Sequence, residues 1–433
     1  MTLSPSPVAR SPITRSPITL YPLGLTLSGR AVIVVGGGAV AARRASGLVA
    51  AGALVTVVAP EAGPDLRVLL ATGGVTWRER AYRTGDLAGA WLAHTATGVT
   101  EVDALVAADA EAARIWCVNA ADHTTSTAWV PAVTRRDDVS VTVSTGGDPR
   151  RAMALRDAIG SSLDAGSLPL RHHRRPVGTG TVHLVGGGPG DPGLITVLGR
   201  RLLAEADVVI ADRLGPRSLL GELDPEVLVI DVGKLPGHHL VPQDEINALL
   251  VEHARAGRRV VRLKGGDPYV LGRGGEEAAY CRRHGVAVEV VPGVTSAISV
   301  PAAAGIPVTH RGVAAGFTVV TGHEQLRSLP GGRDHTVILL MGISALPGSA
   351  TVLATGTRGE DCPVAIIEDG YGPGQRVTVG TLATIAALAG SRGVASPAVI
   401  VVGDVVTLSP HAHHSSAVPS AETVPPAPRK ARS

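Results

Sequence analysis

Short runs of Val, Ile, Leu and Ala recur along the chain, and glycine or small polar residues follow most of them. A run with no polar position suits a strand buried on both faces, as in a parallel sheet; a half-exposed strand would alternate. The pattern predicts strands at 31–35, 54–58, 91–95, 115–118 and 139–143 within a first segment, residues 21–160. A second segment, residues 181–410, carries strands at 182–185, 208–211, 227–232, 260–263 and 286–291. From Phe317 the pattern resets, with strands predicted at 317–320, 337–340, 363–367 and 398–402. Strand, glycine turn and helix in alternation define an α/β protein. Its second domain is two-lobed, with lobes at 181–312 and 317–410. Residues 161–180, rich in Gly, Pro and basic side chains, read as a linker. The Ser-Pro repeat within residues 1–20 reads as a disordered leader, and the Pro- and Ser-rich residues 411–433 as a disordered tail.

Composition removes several classes. The 433 residues include only 4 Trp, 5 Tyr and 1 Phe, so stacking on single-stranded nucleic acid has few platforms. A net charge of +3 gives little support for a phosphate-backbone binder. No nucleic-acid partner is expected. Cys117, Cys281 and Cys362 are far apart and odd in number, which fits neither a disulfide framework nor a CxxC metal site. No run of eighteen uninterrupted apolar residues occurs, so no membrane span is expected.

The first segment opens on a strand, the glycines Gly36, Gly37 and Gly38, an Ala-rich helix and a second strand. A pyrophosphate must approach backbone N–H groups at a helix N-terminus, where a Cβ would block it. This βαβ unit therefore reads as a dinucleotide site, with Ala41 in place of the third glycine. Gly36, Gly38, Ala39, Val40, Pro60 and Glu61 are its candidate cofactor residues, Glu61 standing where a ribose-binding acid belongs. Three later loops, TATGVTEVD, NAADHTTS and STGGDPR, also fall at strand ends, and the second makes Asp122 a candidate acid or base.

In the second segment five strands each run into an unusual loop: GGGPGDPGLIT, DRLGP, GKLPGHH, KGGDPYVLGRGGEE and PGVTSA. In a parallel sheet these loops share one edge and line one crevice. That edge gathers Pro189, Asp191, Asp212, Lys234, Lys264, Asp267, Thr295 and Ser296. A P-loop is excluded, because GxxxxGK[ST] is absent.

Together VGGGPGDPGLIT, ADRL, GK with PQDEIN, VVRLKGGDPYVLGRGGEE, VPGVTSA, GIPVTHR and MG resemble the uroporphyrinogen-III C-methyltransferases, which are tetrapyrrole methylases; the match spans residues 181–408. VGGGAVA and the STGGDP loop resemble, less specifically, the Rossmann-like NAD-binding module of precorrin-2 dehydrogenase and sirohydrochlorin ferrochelatase. In this order the two modules resemble the siroheme synthase family. The resemblance implies a cytoplasmic enzyme, a homodimer, with a tetrapyrrole substrate. S-adenosylmethionine and NAD would be its cofactors and Fe²⁺ the substrate of a last step. Asp212 becomes the proton acceptor, Lys234 the proton donor, and Asp122 the aspartate of dehydrogenation and chelation. Pro189, Gly265, Gly266, Asp267, Val270, Thr295, Ser296, Met341 and Gly370 fall where the family binds S-adenosylmethionine. Arg213, His239 and Arg311, with Lys234, are candidates for the substrate's carboxylates; no metal ligand is identified.

The first module departs from its relatives. Thr97-Gly98-Val99 stands where many carry an acidic run, and Thr145 replaces a serine. Residues 144–180 are shorter than the helical dimerisation region usual there. Ferrochelatase activity is therefore left open. The alternative reading is a methyltransferase alone, whose first module binds NAD(H) as a sensor or structural partner.

Overall fold

The computed structural model describes residues 20–168, 170–171, 178–233, 241–321 and 326–412. The chain divides into two compact units, one ending at Gly160 and one beginning at Ser161. The expected leader and tail fall outside the described residues, apart from Leu20, His411 and Ala412.

The first unit contains β1 (Ala31–Val35), α1 (Ala39–Ala50), β2 (Leu54–Ala59), α2 (Pro64–Ala71), β3 (Val75–Glu79), β4 (Leu92–Thr95), α3 (Thr100–Ala112) and β5 (Trp116–Asn119). Its sheet has the order β3-β2-β1-β4-β5, and every pairing is parallel. Alternation along β1 sends Val32 and Val34 to one buried face, with Ala41 and Ala45 of α1. Ile33 and Val35 go to the other face, with Val106 and Ala110 of α3. This double burial is why β1 reads as an unbroken apolar run. The strand order reverses between β1 and β4, the switch point where open α/β sheets bind ligands.

The run at 139–143 does not join that sheet. It is β7 (Val139–Val143), paired antiparallel with β6 (Ala132–Arg136) in a separate ribbon. The STGGDPR loop therefore does not lie on the carboxyl edge of the parallel sheet. Its Asp148 Oδ1 accepts a hydrogen bond from Arg151 N (3.0 Å) at the start of α4 (Pro149–Asp164), whose first residue is Pro149. An Asp cap with Pro at the first helical position is a common helix start, and it accounts for that sequence.

The second unit begins with β8 (Thr181–Gly186), α5 (Val197–Ala204), β9 (Val208–Ala211), β10 (Leu228–Asp231), α6 (Gln243–Arg255), β11 (Val260–Lys264), α7 (Gly274–Arg283), β12 (Ala287–Val291) and α8 (Ser296–Ala303). The sheet order is β10-β9-β11-β8-β12, all parallel, so the five expected loops leave from one edge; GKLPGHH beyond Gly233 lies outside the described residues. A second, mixed sheet follows: β13 (Gly316–Thr321), β14 (His335–Leu340), α9 (Leu346–Leu353), β15 (Pro363–Glu368), β16 (Arg376–Thr381), α10 (Ile385–Ser391) and β17 (Ala398–Val402). Its order is β13-β14-β17-β15-β16. Ala297 and Val300 of α8 share a buried cluster with Ile338, Ala365, Ile367 and Val401, so this helix joins the two sheets.

Residues 161–180 are not an extended linker throughout. The first four continue α4 to Asp164. Gly166, at φ +64°, lies so close to the Arg201 backbone that a Cβ would come within 2.6 Å of its Cα. Arg171 reaches Asp207 (3.3 Å), Asp224 (3.1 Å) and Glu226 (2.9 Å). Three carboxylates on one guanidinium hold this stretch to the second unit. All three cysteines are buried and free, and burial pushes each thiol up to about 11. Thiols in that state are poor nucleophiles.

Candidate active site

In the first unit the three glycines do different work. Gly36 is buried, and a Cβ there would sit 2.4 Å from the Ala96 carbonyl oxygen across the switch point. Gly37 packs as tightly on the Glu61 backbone and accepts a hydrogen bond from Gly63 N (2.9 Å). Gly38 faces open space. It is the N-cap of α1, no side chain caps it, and no acidic residue stands in the first turn. Ala39 and Val40 of that turn, and Pro60 and Glu61 beyond β2, are exposed beside it. An uncapped helix N-terminus with open space above it suits a pyrophosphate. The opposite wall is the Thr97-Gly98-Val99 loop. Asp103 of α3 braces that loop, accepting from Thr97 N (3.1 Å), Thr97 Oγ1 (2.7 Å) and Thr95 Oγ1. His94 lies beneath, buried, and burial with the nearby Arg44 charge lowers it to about 4, so it is neutral at neutral pH.

Asp122 follows β5 and caps a short turn. Its Oδ1 accepts from Thr124 N (2.9 Å) and Thr124 Oγ1 (2.7 Å). These hydrogen bonds from Thr124 hold the carboxyl below its usual value. Asn119 Oδ1 accepts from Ala121 N (3.0 Å) and Asp122 N (3.2 Å), which fixes the loop that carries it.

The second unit places its crevice between β8 and β11. Gly188 and Gly266 form a β-bridge across the loops after these strands, and Gly187 N donates to Lys264 O (2.7 Å). Gly293 wedges against both loops: a Cβ there would lie 2.2 Å from Gly266 O and 2.7 Å from Gly186. Backbone packed on backbone leaves no room for any side chain, which is why glycine recurs. Gly266 takes a left-handed φ of +66° and faces Ser296 and Thr295. Thr295 is the N-cap of α8 and accepts from Ala297 N (3.3 Å). Pro189 and Val270 are half-buried on the flanking loops.

Asp267 is spent on backbone groups of its own loop and the loop after β12. Its Oδ1 accepts from Tyr269 N (2.7 Å) and its Oδ2 from Gly293 N (3.0 Å). It shapes the cradle from inside, so backbone groups at 265–267 are what this loop offers a ligand. Gly265 lies against Leu214, which brings the loops after β9 and β11 together.

Met341 and Gly370 enter from the second sheet. Leu340 and Ile367 both pair with Val399, so the ends of β14 and β15 lie on one edge. Gly370 packs on Val300 of α8, whose N-terminus is Thr295 and Ser296. Met341 is 60% exposed and has φ +56°. A non-glycine residue in that conformation, with its side chain in solvent, marks a functional position more than a packing one. Asp369 (φ +46°) and Tyr371 (φ +67°), either side of Gly370, share the strain.

Asp212 follows β9 and is one-quarter exposed. Its Oδ1 accepts from Leu214 N (3.0 Å), Gly215 N (3.2 Å) and Gly265 N (3.2 Å). Arg213 and Arg311 are exposed. Lys234 and His239 lie outside the described residues.

Beneath the loops lies a set of buried charges that the loop motifs do not reveal. Arg262 and Lys264 of β11 are 4% and 5% exposed, and Glu277 of α7 is fully buried. Arg262 Nε donates to Glu277 Oε1 (3.1 Å), Lys264 Nζ donates to the same oxygen (3.2 Å), and so does Gln243 Nε2 (3.1 Å). Burial, with the Arg262 charge beside it, pushes the Lys264 ammonium down. The signal was present: VVRLK puts two cations into a strand that is otherwise buried on both faces. An unpaired charge there costs several kcal/mol, so a buried acid had to exist.

A parallel-sheet unit with an open helix N-terminus at its switch point, followed by a unit of two sheets whose loops meet in a crevice, is the architecture this geometry defines. Residues 181–386 match the Tetrapyrrole (Corrin/Porphyrin) Methylases, and residues 23–132 match a Putative NAD(P)-binding family. Siroheme synthase 3 of Aeromonas hydrophila subsp. hydrophila is 38% identical over 446 residues, covering 88% of this chain and 94% of that protein. The S-adenosyl-L-methionine-dependent uroporphyrinogen III methyltransferase of Methanosarcina barkeri is 49% identical over 237 residues, 53% of this chain and 93% of that protein. The uroporphyrin-III C-methyltransferase of Thermus thermophilus, solved with S-adenyl homocysteine, is 42% identical. It covers 53% of this chain and 100% of its own, with a TM-score of 0.47. The chain belongs to the siroheme synthase family.

Proposed function

We propose that the chain makes siroheme from uroporphyrinogen III. The second unit transfers two methyl groups from S-adenosylmethionine to give precorrin-2. The first unit oxidises precorrin-2 with NAD⁺ to sirohydrochlorin, and Fe²⁺ is then inserted as a substrate. The proposed setting is a cytoplasmic homodimer that handles its tetrapyrrole without nucleic acid or membrane.

The observation that carries this reading is the meeting of the loops after β8, β11 and β12 at the Gly188–Gly266 bridge, with the loop after β9 alongside at Gly265. The residues there suit a sulfonium nucleoside. Backbone groups at Gly265–Asp267, the Thr295–Ser296 helix start, Gly370 and the strained, exposed Met341 would hold it. Bound there, S-adenosylmethionine supplies an electrophilic methyl group and needs little activation. The chain's own contribution is alignment and proton removal. Methylation at a pyrrole carbon leaves a proton to be lost, and the Asp212 carboxylate accepts it. Lys234 donates a proton. Arg213, His239 and Arg311 take the substrate's carboxylates.

In the first unit the open α1 N-terminus would hold the pyrophosphate of NAD⁺ and Glu61 its ribose, and NAD⁺ would supply a hydride acceptor there. Asp122 takes the proton released in the oxidation, and is the residue proposed to serve chelation.

Incubating the protein anaerobically with uroporphyrinogen III and labelled S-adenosylmethionine tests the first step. Two methyl groups per tetrapyrrole are expected in precorrin-2. Incorporation of none, or label only in a later precorrin supplied as competitor, would remove this substrate assignment.

A further inference from the structure

The charges buried under the crevice do more than join β11 to α7. Resting on the reading of Asp212 as proton acceptor, we infer that Arg262 is a positioning residue, bridging Asp212 to the buried Glu277 and holding the Asp212 carboxylate in one orientation.

The geometry assigns each arm of the guanidinium. Nε is held by Glu277 Oε1 (3.1 Å). One terminal nitrogen donates to Leu263 O (2.9 Å) and Ile210 O (3.3 Å). A planar group anchored at two nitrogens has its third direction fixed. That third nitrogen lies 3.6 Å from Asp212 Oδ2. On the acid, Oδ1 is occupied by three backbone N–H groups, while Oδ2 has only a long contact of 3.4 Å with Gly265 N. Oδ2 is therefore the oxygen free to take a proton, and it is the one beside Arg262.

The other charges around Asp212 are weaker influences. Arg213 and Arg217 share its loop and are exposed, where solvent and salt screen them. Arg217 is also paired with Asp231 at the end of β10. Lys264 on β11 donates to Glu277 and interacts with Asp212 only through space. Glu277 stands behind both cations on α7 and has two of them, so losing either leaves it with a partner. This arrangement supplies its own control.

The test is the split between kcat and KM for methylation of uroporphyrinogen III by the full chain. Removing the guanidinium beside Asp212 leaves Oδ2 without its anchor, so the carboxylate is aligned with the substrate less often. Arg262→Met should lower kcat about tenfold or more and leave KM within about twofold. Arg262→Lys should restore kcat most of the way. Lys264→Met removes Glu277's other cation and should lower kcat by less than about threefold. An unchanged kcat in Arg262→Met, or an equal loss in Lys264→Met, would overturn the inference. If Arg262→Met does not fold by circular dichroism, Arg262→Gln keeps donors for the two carbonyls and is held to the same outcomes. Full methylation by Asp212→Asn would instead remove the underlying base assignment, whatever the Arg262 variants do.

Discussion

Asp212→Asn should lower the rate of uroporphyrinogen III methylation by about 10²- to 10⁴-fold, the usual contribution of a positioned acid or base. The substitution is unusually clean here. An amide oxygen can still accept from Leu214, Gly215 and Gly265, so the turn after β9 keeps its hydrogen bonds. Arg262 keeps its pairing with Glu277, so no buried charge is left alone. The negative charge is removed, and the oxygen facing Arg262 becomes an NH2 group. S-adenosylmethionine affinity should be unchanged, because the loops proposed to bind it do not depend on that charge. The check is a single-turnover methyl transfer beside an equilibrium binding measurement. Unchanged turnover would contradict the base assignment. Lost turnover together with lost cofactor binding would point to a structural role.

Asp122→Asn should abolish NAD-dependent oxidation of precorrin-2, by a factor of similar size, and leave methylation intact. Asn is as good a cap as Asp, so the turn fixed through Thr124 should survive. The Thr124 hydrogen bonds already hold the carboxyl below its ordinary value. The base form is thus kept to a lower pH than in an unpaired aspartate, and is lost as pH falls through that lowered value. Oxidation by the wild-type chain should accordingly keep its rate down to a lower pH than an ordinary carboxylate base allows. Retained oxidation in Asp122→Asn, followed by the absorption of sirohydrochlorin, would refute the assignment.

The strands legible from sequence are those buried on both faces. AVIVV at β1 and AVIVV at β17 are unbroken apolar runs because helices or a second layer cover each side. The strands missed are marginal ones. VTWRE of β3 and RVTVGT of β16 are edge strands whose polar positions face solvent, so neither forms an apolar run. AVTRR of β6 was missed for the same reason, in a ribbon with no second layer of strands. The run at 139–143 was recognised as a strand, yet a Val-rich run does not encode its partner. The site was legible wherever a loop sits at a strand end, because glycine and Asp leave a visible trace there. Two functions of those residues were not legible. Asp267 looks like a ligand group in sequence, but its carboxylate is used to tie Tyr269 and Gly293. Glu277, thirteen residues beyond Lys264 and fifteen beyond Arg262, becomes their partner only through the fold.

The two units make one pathway only if the product of the second is the substrate of the first. The direct test is one anaerobic reaction containing uroporphyrinogen III and S-adenosylmethionine, run with and without NAD⁺, then supplemented with Fe²⁺, and followed by absorption spectrum. The account predicts precorrin-2 without NAD⁺, sirohydrochlorin only when NAD⁺ is present, and siroheme formed faster than by Fe²⁺ and free sirohydrochlorin alone. Accumulation of precorrin-2 with NAD⁺ present would contradict it, and would leave a methyltransferase whose first unit binds the dinucleotide without using it.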